Sequence, residues 1–185
     1  MTRRSKTTTA VLCVALLATL AGCGKSEHPG LEGAEPAREG LSVPLEGVEY
    51  TVYITRELNL KTPPDQAYYN GPEAPPGQTL YGVFLQACNL DGERKPTAEL
   101  FKVVDNQGNE FEPTVVEEKN PFAYHPRMLA RKECIPQAGS VAQLGPTEGS
   151  MLLFKLPLSA TENRPLELEI EAPTTSEHAT FELDL

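Results

Sequence analysis

Few side chains in this sequence have the types and spacing that catalysis or metal binding needs. The three histidines, His28, His125 and His178, lie far apart and at no ligand spacing from a cysteine. Because zinc sites gather several such ligands, these histidines are expected to be solvated residues of loops and turns. No G-x-S-x-G motif is present to activate a serine nucleophile. We therefore expect no enzyme activity, no bound metal and no cofactor.

Two acidic segments have residue types that could bind calcium or catalyse glycoside hydrolysis, but simpler structural interpretations are favoured. Residues 105–110 (DNQGNE) offer oxygen ligands for calcium, yet they lack the carboxylate density of an EF-hand loop. We interpret them as the turn of a hairpin, with calcium binding as the alternative. Glu167, Glu169 and Glu171 alternate along one predicted strand and so form one solvated face. A glycosidase pair instead faces across a cleft.

The N-terminus has the pattern of a secretory signal peptide. Basic residues at positions 3, 4 and 6 precede a mostly apolar run over residues 10–22. This run is too short to span the roughly 30 Å of a bilayer core as a helix. It ends in Leu20-Ala21-Gly22-Cys23, which resembles the lipobox of bacterial lipoproteins. The resemblance implies cleavage before Cys23 and a diacylglyceryl group on that residue. The alternative is an ordinary cleavage site that happens to contain a cysteine.

The length and composition indicate one acidic domain. Its surface charge would not attract it to an anionic membrane, so a lipid anchor would be needed. The 185 residues include 26 Asp and Glu against 16 Lys and Arg, for a formal charge of -10. An acidic surface repels nucleic-acid phosphates, so we expect no nucleic-acid partner. Cleavage before Cys23 removes three of the basic and none of the acidic residues, which leaves -13. Anionic lipids repel such a surface, so the acyl chains on Cys23 must hold the protein at the membrane.

Two cysteines remain for a structural role and are predicted to form a disulfide. Cys13 would leave with the signal peptide and Cys23 would carry lipid, which leaves Cys88 and Cys134. An even pair in an oxidising compartment favours a bond between them. Two buried free thiols are one alternative. A redox-active pair is another, although such pairs usually have C-x-x-C spacing, which these residues lack.

After the signal peptide at residues 1–22, we expect a flexible linker over residues 23–47 and one folded domain over residues 48–185. The linker is rich in Gly, Glu and Pro, has few apolar residues and shows no periodicity. It therefore buries too little surface to offset the entropy lost on ordering. The alternative is a poorly packed first strand near residues 41–43.

From residue 48 onwards, alternating apolar residues predict an all-β domain. The first strand should place four apolar side chains on one face: Val48, Tyr50, Val52 and Ile54. Residues 79–88 are nearly all apolar, which is typical of a central strand buried on both faces. Further strands are expected over residues 99–104, 110–112, 151–156, 166–172 and 181–185. Short strands with Pro- and Gly-rich turns indicate a two-sheet antiparallel sandwich. Whether the long connections at 61–78 and 118–149 are ordered is left open.

Four segments resemble a known domain family. They are residues 81–89 (YGVFLQACN), 103–111 (VVDNQGNEF), 136–139 (PQAG) and 149–157 (GSMLLFKLP). In this order they resemble the immunoglobulin-like domain of unknown function that is common in lipoproteins of Gram-positive bacteria and actinobacteria. That family is related in fold to a secreted mycobacterial immunoprotective antigen. The resemblance covers about residues 48–172 and implies an immunoglobulin-like antiparallel β-sandwich on a lipid anchor. It brings no catalytic residues, because a fold does not determine a function.

The two long connections carry the residues most suited to recognition. The candidates are Tyr68 and Tyr69 in the first connection and Phe122, Tyr124, Arg127 and Arg131 in the second. Aromatic and arginine side chains on stiff loops are common in binding sites. The alternative is that the aromatic rings only pack the loops onto the domain. Arg127, Arg131 and Lys132 would form a basic patch suited to an anionic partner, such as an acidic protein segment.

These features predict a non-enzymatic, lipid-anchored binding or scaffolding module on the extracytoplasmic face of a bacterial cell membrane, with an envelope protein as a possible partner. The second hypothesis is a small-ligand-binding lipoprotein that serves a transporter. The third is an envelope enzyme with an unfamiliar site. A deep apolar cavity between the sheets would favour the second hypothesis. A cleft that gathers two acids, or a histidine with a nucleophile, would favour the third. A filled core with exposed loop aromatics would favour the first.

Overall fold

The computed structural model describes residues 28–185, so the predicted signal peptide, Cys23 and the first residues of the predicted linker lie outside the described part. Within it the chain forms twelve strands and three short helices. The strands are β1 Ala37–Arg38, β2 Ser42–Leu45, β3 Val48–Glu57, β4 Gln78–Asn89, β5 Lys95–Pro96, β6 Phe101–Val104, β7 Glu110–Phe111, β8 Met128–Leu129, β9 Cys134–Ile135, β10 Ser150–Pro157, β11 Leu166–Glu171 and β12 His178–Leu183. The helices are α1 Asp65–Tyr68, α2 Val141–Leu144 and α3 Leu158–Glu162.

Two sheets form a sandwich, which confirms the predicted all-β fold. The first sheet has the strand order β1-β12-β11-β6-β7, and the second has the order β10-β4-β3-β2. In the second sheet, β9 pairs with the end of β4 beyond β10. Neighbouring strands are antiparallel except β1, which runs parallel to β12. The β5–β8 pair forms a small separate ribbon.

The alternation that predicted β11 also sets its register. Its three apolar side chains, Leu166, Leu168 and Ile170, are buried between the sheets, and the glutamates between them face outward. A slip of one residue against β6 or β12 would bury the glutamates instead, so the pattern admits one pairing.

The central strand β4 is buried on both faces, as its apolar run predicted. Tyr81, Val83 and Leu85 face the first sheet and belong to the main core. Leu80 and Phe84 point the other way, into a second cluster on the outer face of the same sheet.

The long connections form the cover of that outer face. The second cluster contains Leu58, Tyr68, Leu80, Phe84, Met151 and Leu153, with Leu60, Tyr69, Ala74, Val116 and Phe122 packed against it. The domain thus has a third layer, made of irregular chain and the short helix α1. Both connections are ordered, because aromatic and aliphatic burial offsets the entropy of fixing them.

One face of β3 differs from the prediction. Val48, Tyr50 and Val52 point into the core, but Ile54 is 41% exposed. The pairing of β3 with β4 shifts between Val52 and Ile54, where a bulge adds one residue. Because a one-residue insertion reverses the side-chain alternation, Ile54 leaves the core face.

The predicted linker boundary at residue 48 is also wrong. β2 pairs with β3 along its whole length, and Val43 and Leu45 are fully buried in the core. Ala37 is buried beside them, where β1 closes the edge of the first sheet. A two-residue strand and a four-residue strand are too short to show periodicity, and the partners of β1 lie more than 140 positions further along the chain. The alternative of a strand near residues 41–43 is the one that the structure contains.

Candidate binding cleft

The predicted aromatic surface is not formed. Tyr68 is fully buried, and its ring packs edge-on against Phe84 and Phe122 at centroid distances of 4.9 and 5.0 Å. Tyr69 is partly buried in the same cluster, and its ring covers Gly71. Tyr68, Tyr69 and Phe122 therefore hold the two connections against the sheet, as expected if the rings only pack the loops onto the domain.

Tyr124 is buried separately, in the main core. Its hydroxyl donates to the carbonyl oxygen of Ala98 at 3.1 Å, while the amide of Ala98 donates to the hydroxyl of Tyr50 at 2.7 Å. Burial raises the pKa of Tyr50 to about 12 and that of Tyr124 well above its usual value. Both phenols therefore stay protonated and serve as structural hydrogen-bonding groups.

The two predicted arginines have different surroundings. The Arg127 guanidinium is bound to the carboxylate of Glu133 and donates to the carbonyl oxygen of Cys134 at 3.1 Å. A hydrogen bond from the amide of Ala130, followed by Arg127, lowers the pKa of Glu133. Arg131 is exposed in the turn before β9. Arg127 is thus occupied within its own loop, and the predicted basic patch is reduced to the exposed residues of that turn.

Cys88 and Cys134 form the predicted disulfide. They pair directly across β4 and β9 with a Cα–Cα distance of 4.1 Å and a sequence separation of 46. Backbone bonds between Asn89 and its neighbours Lys132 and Glu133 extend this junction. The bond therefore attaches the second long connection to the centre of the second sheet.

The acidic turn at residues 105–110 is held by its own amide groups. The Asp105 carboxylate accepts from the amides of Gln107 and Asn109 at 2.9 Å and from the side chain of Asn109 at 2.8 Å. The side-chain bond from Asn109 is the main reason that the pKa of Asp105 falls to about 2. A carboxylate whose lone pairs accept these bonds fits a hairpin turn, the favoured interpretation. Within residues 28–185, no group of three or more His, Cys, Asp and Glu side chains could hold a metal ion.

A cleft of about 750 Å³ opens on the side of the sandwich where β7 faces β10. Its floor consists of core residues, chiefly Phe101, Tyr124 and Leu152, and the Phe101 and Tyr124 rings pack edge-on at 5.0 Å. Two aliphatic side chains lie at the rim of the cleft, one on each of its two lips, and are largely exposed to solvent: Leu100 is 62% exposed and Val115 is 93% exposed. Such side chains beside a concave apolar floor are typical of binding sites.

The walls of the cleft are fixed by the outer edge of β10. The chain leaves β7 after two residues and crosses to the second sheet, where the Thr114 amide donates to the Leu153 carbonyl at 2.6 Å. The opposite wall is attached through Met151, whose amide donates to Phe122 at 2.6 Å and whose carbonyl accepts from Tyr124 at 2.9 Å. The cleft is therefore built into the backbone and does not depend on free loops.

Carboxylates dominate the charge around the cleft. Its acidic lining residues are Glu99, Glu110, Glu112 and Glu171, and its basic ones are Lys102 and His125. The Lys102 ammonium donates to Glu110 at 2.8 Å and also contacts Glu169 at 3.1 Å. These carboxylates raise the pKa of Lys102, so its charge is compensated within the protein. The lining is therefore negative overall.

Sequence reasoning did not identify this cleft, although one signal was present. Leu100 precedes the core residue Phe101, and Val115 precedes Val116, which packs on the second cluster. Adjacent apolar residues in an extended chain point to opposite sides, so both cannot be buried on the same face. A doubled apolar residue at or beyond the end of a strand therefore marks a candidate surface position.

Comparisons with known proteins show the fold and leave the function open. No protein-family model and no curated protein matches the chain. The yjhA protein from Bacillus subtilis is similar in structure, with 10% sequence identity and a TM-score of 0.50 over 80% of this chain and 99% of that one. An uncharacterized β-sandwich protein from Clostridium difficile 630 has 13% identity and a TM-score of 0.48 over 85% of this chain and 100% of that one.

Among residues 28–185, no helix has the length and hydrophobicity to cross a membrane.

Proposed function

We propose that this protein is a non-enzymatic binding module, anchored by lipid on Cys23 at the extracytoplasmic face of a bacterial cell membrane, and that it binds its partner in the cleft. The observation that carries this proposal is the pair of exposed aliphatic residues, Leu100 and Val115, beside a preformed apolar floor. When a partner covers exposed apolar surface of this kind, the removal of that surface from water makes binding more favourable.

The position of the cleft suits a tethered module. The described chain begins next to β12, where the Thr180 amide donates to the Gly30 carbonyl at 2.7 Å. That edge of the first sheet carries β1, and the cleft lies at the opposite edge, beside β7. A lipid tether at the N-terminus would therefore attach on one side of the sandwich and leave the cleft accessible on the other.

A small ligand that serves a transporter is the second candidate. The cleft volume of about 750 Å³ falls within the range of small-molecule sites, which is roughly 300–1,000 Å³. Against it, the space between the sheets is filled by core side chains, and the cleft lies at the edge of the sandwich, where one side is open to solvent. A cleft with one open side suits a chain segment that passes through it better than a ligand that must be enclosed.

Site-specific photo-crosslinking in living cells tests the proposal. A photoreactive amino acid replaces Val115 in the lipidated protein, and the matched control carries it at Leu144, which is 74% exposed on α2 and outside the cleft lining. We expect a discrete crosslinked product from position 115 that position 144 does not give. Cys23→Ala should move the protein from the membrane fraction to the soluble fraction and weaken that product.

Two results would contradict the proposal. If a well-expressed protein gives no product at position 115, or the same products at both positions, the cleft is not the binding site. If Cys23→Ala leaves the protein in the membrane fraction even after residues 1–22 have been cleaved from it, Cys23 is not the anchor.

A further inference from the structure

We propose that the cleft binds a basic, aliphatic segment of a partner polypeptide: an aliphatic side chain seated on the floor, flanked by lysine or arginine. This inference rests on the proposed function and specifies its ligand. It combines the shape of the floor, the two exposed aliphatic lips and the arrangement of the carboxylates.

The floor is suited to one or two apolar side chains. Phe101, Tyr124 and Leu152 are each at most 8% exposed, yet all three line the cleft. Their positions are fixed by the edge-on contact of the two rings and by the hydrogen bond of Tyr124 to Ala98. An aliphatic side chain between the exposed Leu100 and Val115 would therefore meet a preorganised surface, which lowers the entropy lost on binding.

The carboxylates flank this floor. Glu99 lies two residues before β6 and Glu171 is the last residue of β11, and the Glu171 amide donates to the carbonyl of Leu100, the neighbour of Glu99, at 3.1 Å. Glu112 lies on the other lip, just after β7. Since Lys102 is already bound by Glu110 and Glu169, a cationic group on either side of the aliphatic residue would find uncompensated negative charge. The acidic surface of the whole chain would also accelerate encounter with a basic partner.

A polypeptide fits this arrangement better than a compact organic cation. The lining has an apolar centre with acids on both lips, so the occupant must carry charge, then apolar surface, then charge. A short run of alternating basic and aliphatic residues has this pattern at the spacing of an extended chain. The open side of the cleft lets the backbone continue past the site.

Fluorescence anisotropy with three labelled peptides tests the inference on the lipidated protein in non-ionic detergent. The first peptide alternates Lys or Arg with Leu and Val, the second replaces the basic residues with Glu, and the third replaces Leu and Val with Ser. We expect binding of the first peptide only, weakened several-fold when NaCl rises from about 50 to about 500 mM. Val115→Ser and Glu112→Lys should each weaken it about tenfold. The matched controls Leu144→Ser and Glu118→Lys change exposed residues outside the cleft lining and should leave it unchanged.

The inference is overturned if the basic, aliphatic peptide does not bind at ~1 mM, or if the acidic peptide binds equally well. It is also overturned if the cleft variants and their controls behave alike. None of these results affects the photo-crosslinking test, since a product at position 115 registers a partner of any chemistry. If that product forms while the peptide test fails, the cleft is a binding site with a different ligand.

Discussion

At the scale of single residues, two buried tyrosines differ in whether the phenol has a partner. The Tyr50 hydroxyl accepts the amide of Ala98, which is itself fully buried. The Tyr68 hydroxyl is buried without a hydrogen-bond partner among residues 28–185. The first hydroxyl satisfies a backbone group that water cannot reach, and the second loses its hydration without replacement.

Opposite effects on stability should follow when each hydroxyl is removed. Tyr68→Phe should raise the free energy of unfolding by about 1 kcal/mol, because the ring contacts stay and the unpaired polar group is lost. Tyr50→Phe should lower it by about 1–3 kcal/mol, because the Ala98 amide loses its acceptor. Urea denaturation of the two variants beside the native protein measures both. A loss of stability in Tyr68→Phe would mean that its hydroxyl is bonded and that the packing description of α1 is incomplete.

At the scale of elements, a two-residue strand attaches the second long connection to the second sheet. β9 forms one short pairing with β4, and the disulfide lies within that pairing. Residues 122–124 reach β10 through backbone bonds of Met151, so the same connection builds one wall of the cleft. The disulfide and one wall of the cleft therefore depend on the same long connection.

The disulfide should contribute about 2–4 kcal/mol to the free energy of unfolding, as expected for a loop of this length. Cys88→Ala combined with Cys134→Ala should lower the urea midpoint, and reduction of the native protein should lower it to a similar value. Hydrogen exchange should rise first at Asn89 and Lys132, whose backbone groups bond across the junction. Equal midpoints for the oxidised and reduced native protein would show that β9 is held without the bond.

At the scale of the whole molecule, the sandwich is closed on one side and open on the other. β1 and β2 complete the two sheets on the closed side and bring Ala37, Val43 and Leu45 into the core. On the open side, β7 has two residues, and within residues 28–185 the free edge of β10 forms its backbone bonds with irregular chain, which leaves the cleft. Strand length at the two edges therefore decides which side presents a site.

A chain that begins at Val48 should be severely destabilised, because it lacks three buried core residues and leaves one edge of β3 unpaired. Loss of a single buried aliphatic side chain costs roughly 2–5 kcal/mol, while a domain of this size is stable by about 5–15 kcal/mol. A chain that begins at His28 should instead keep a cooperative transition. Urea denaturation and near-ultraviolet circular dichroism compare the two. Equal stability would place the domain boundary at residue 48 after all.

Several features could be predicted from the sequence because they depend on local pattern or on composition. Alternation along β11 and the apolar run of β4 predicted strands with the correct buried faces. The even cysteine pair predicted the bond between Cys88 and Cys134. The turn residues of the β6–β7 hairpin predicted its position, since the side chain of Asp105 caps amides only two and four residues away.

Only the tertiary structure decided the rest, because it depends on contacts between residues far apart in the chain. β1 gains its place from β12, the bulge in β3 is visible only against β4, and Tyr68 is buried by a sheet and a loop that follow it. The cleft has the same origin: its floor and lips come from four separate segments of the chain. Local pattern determines which residues prefer to be buried, whereas the pairing of distant strands determines which of them the fold leaves exposed.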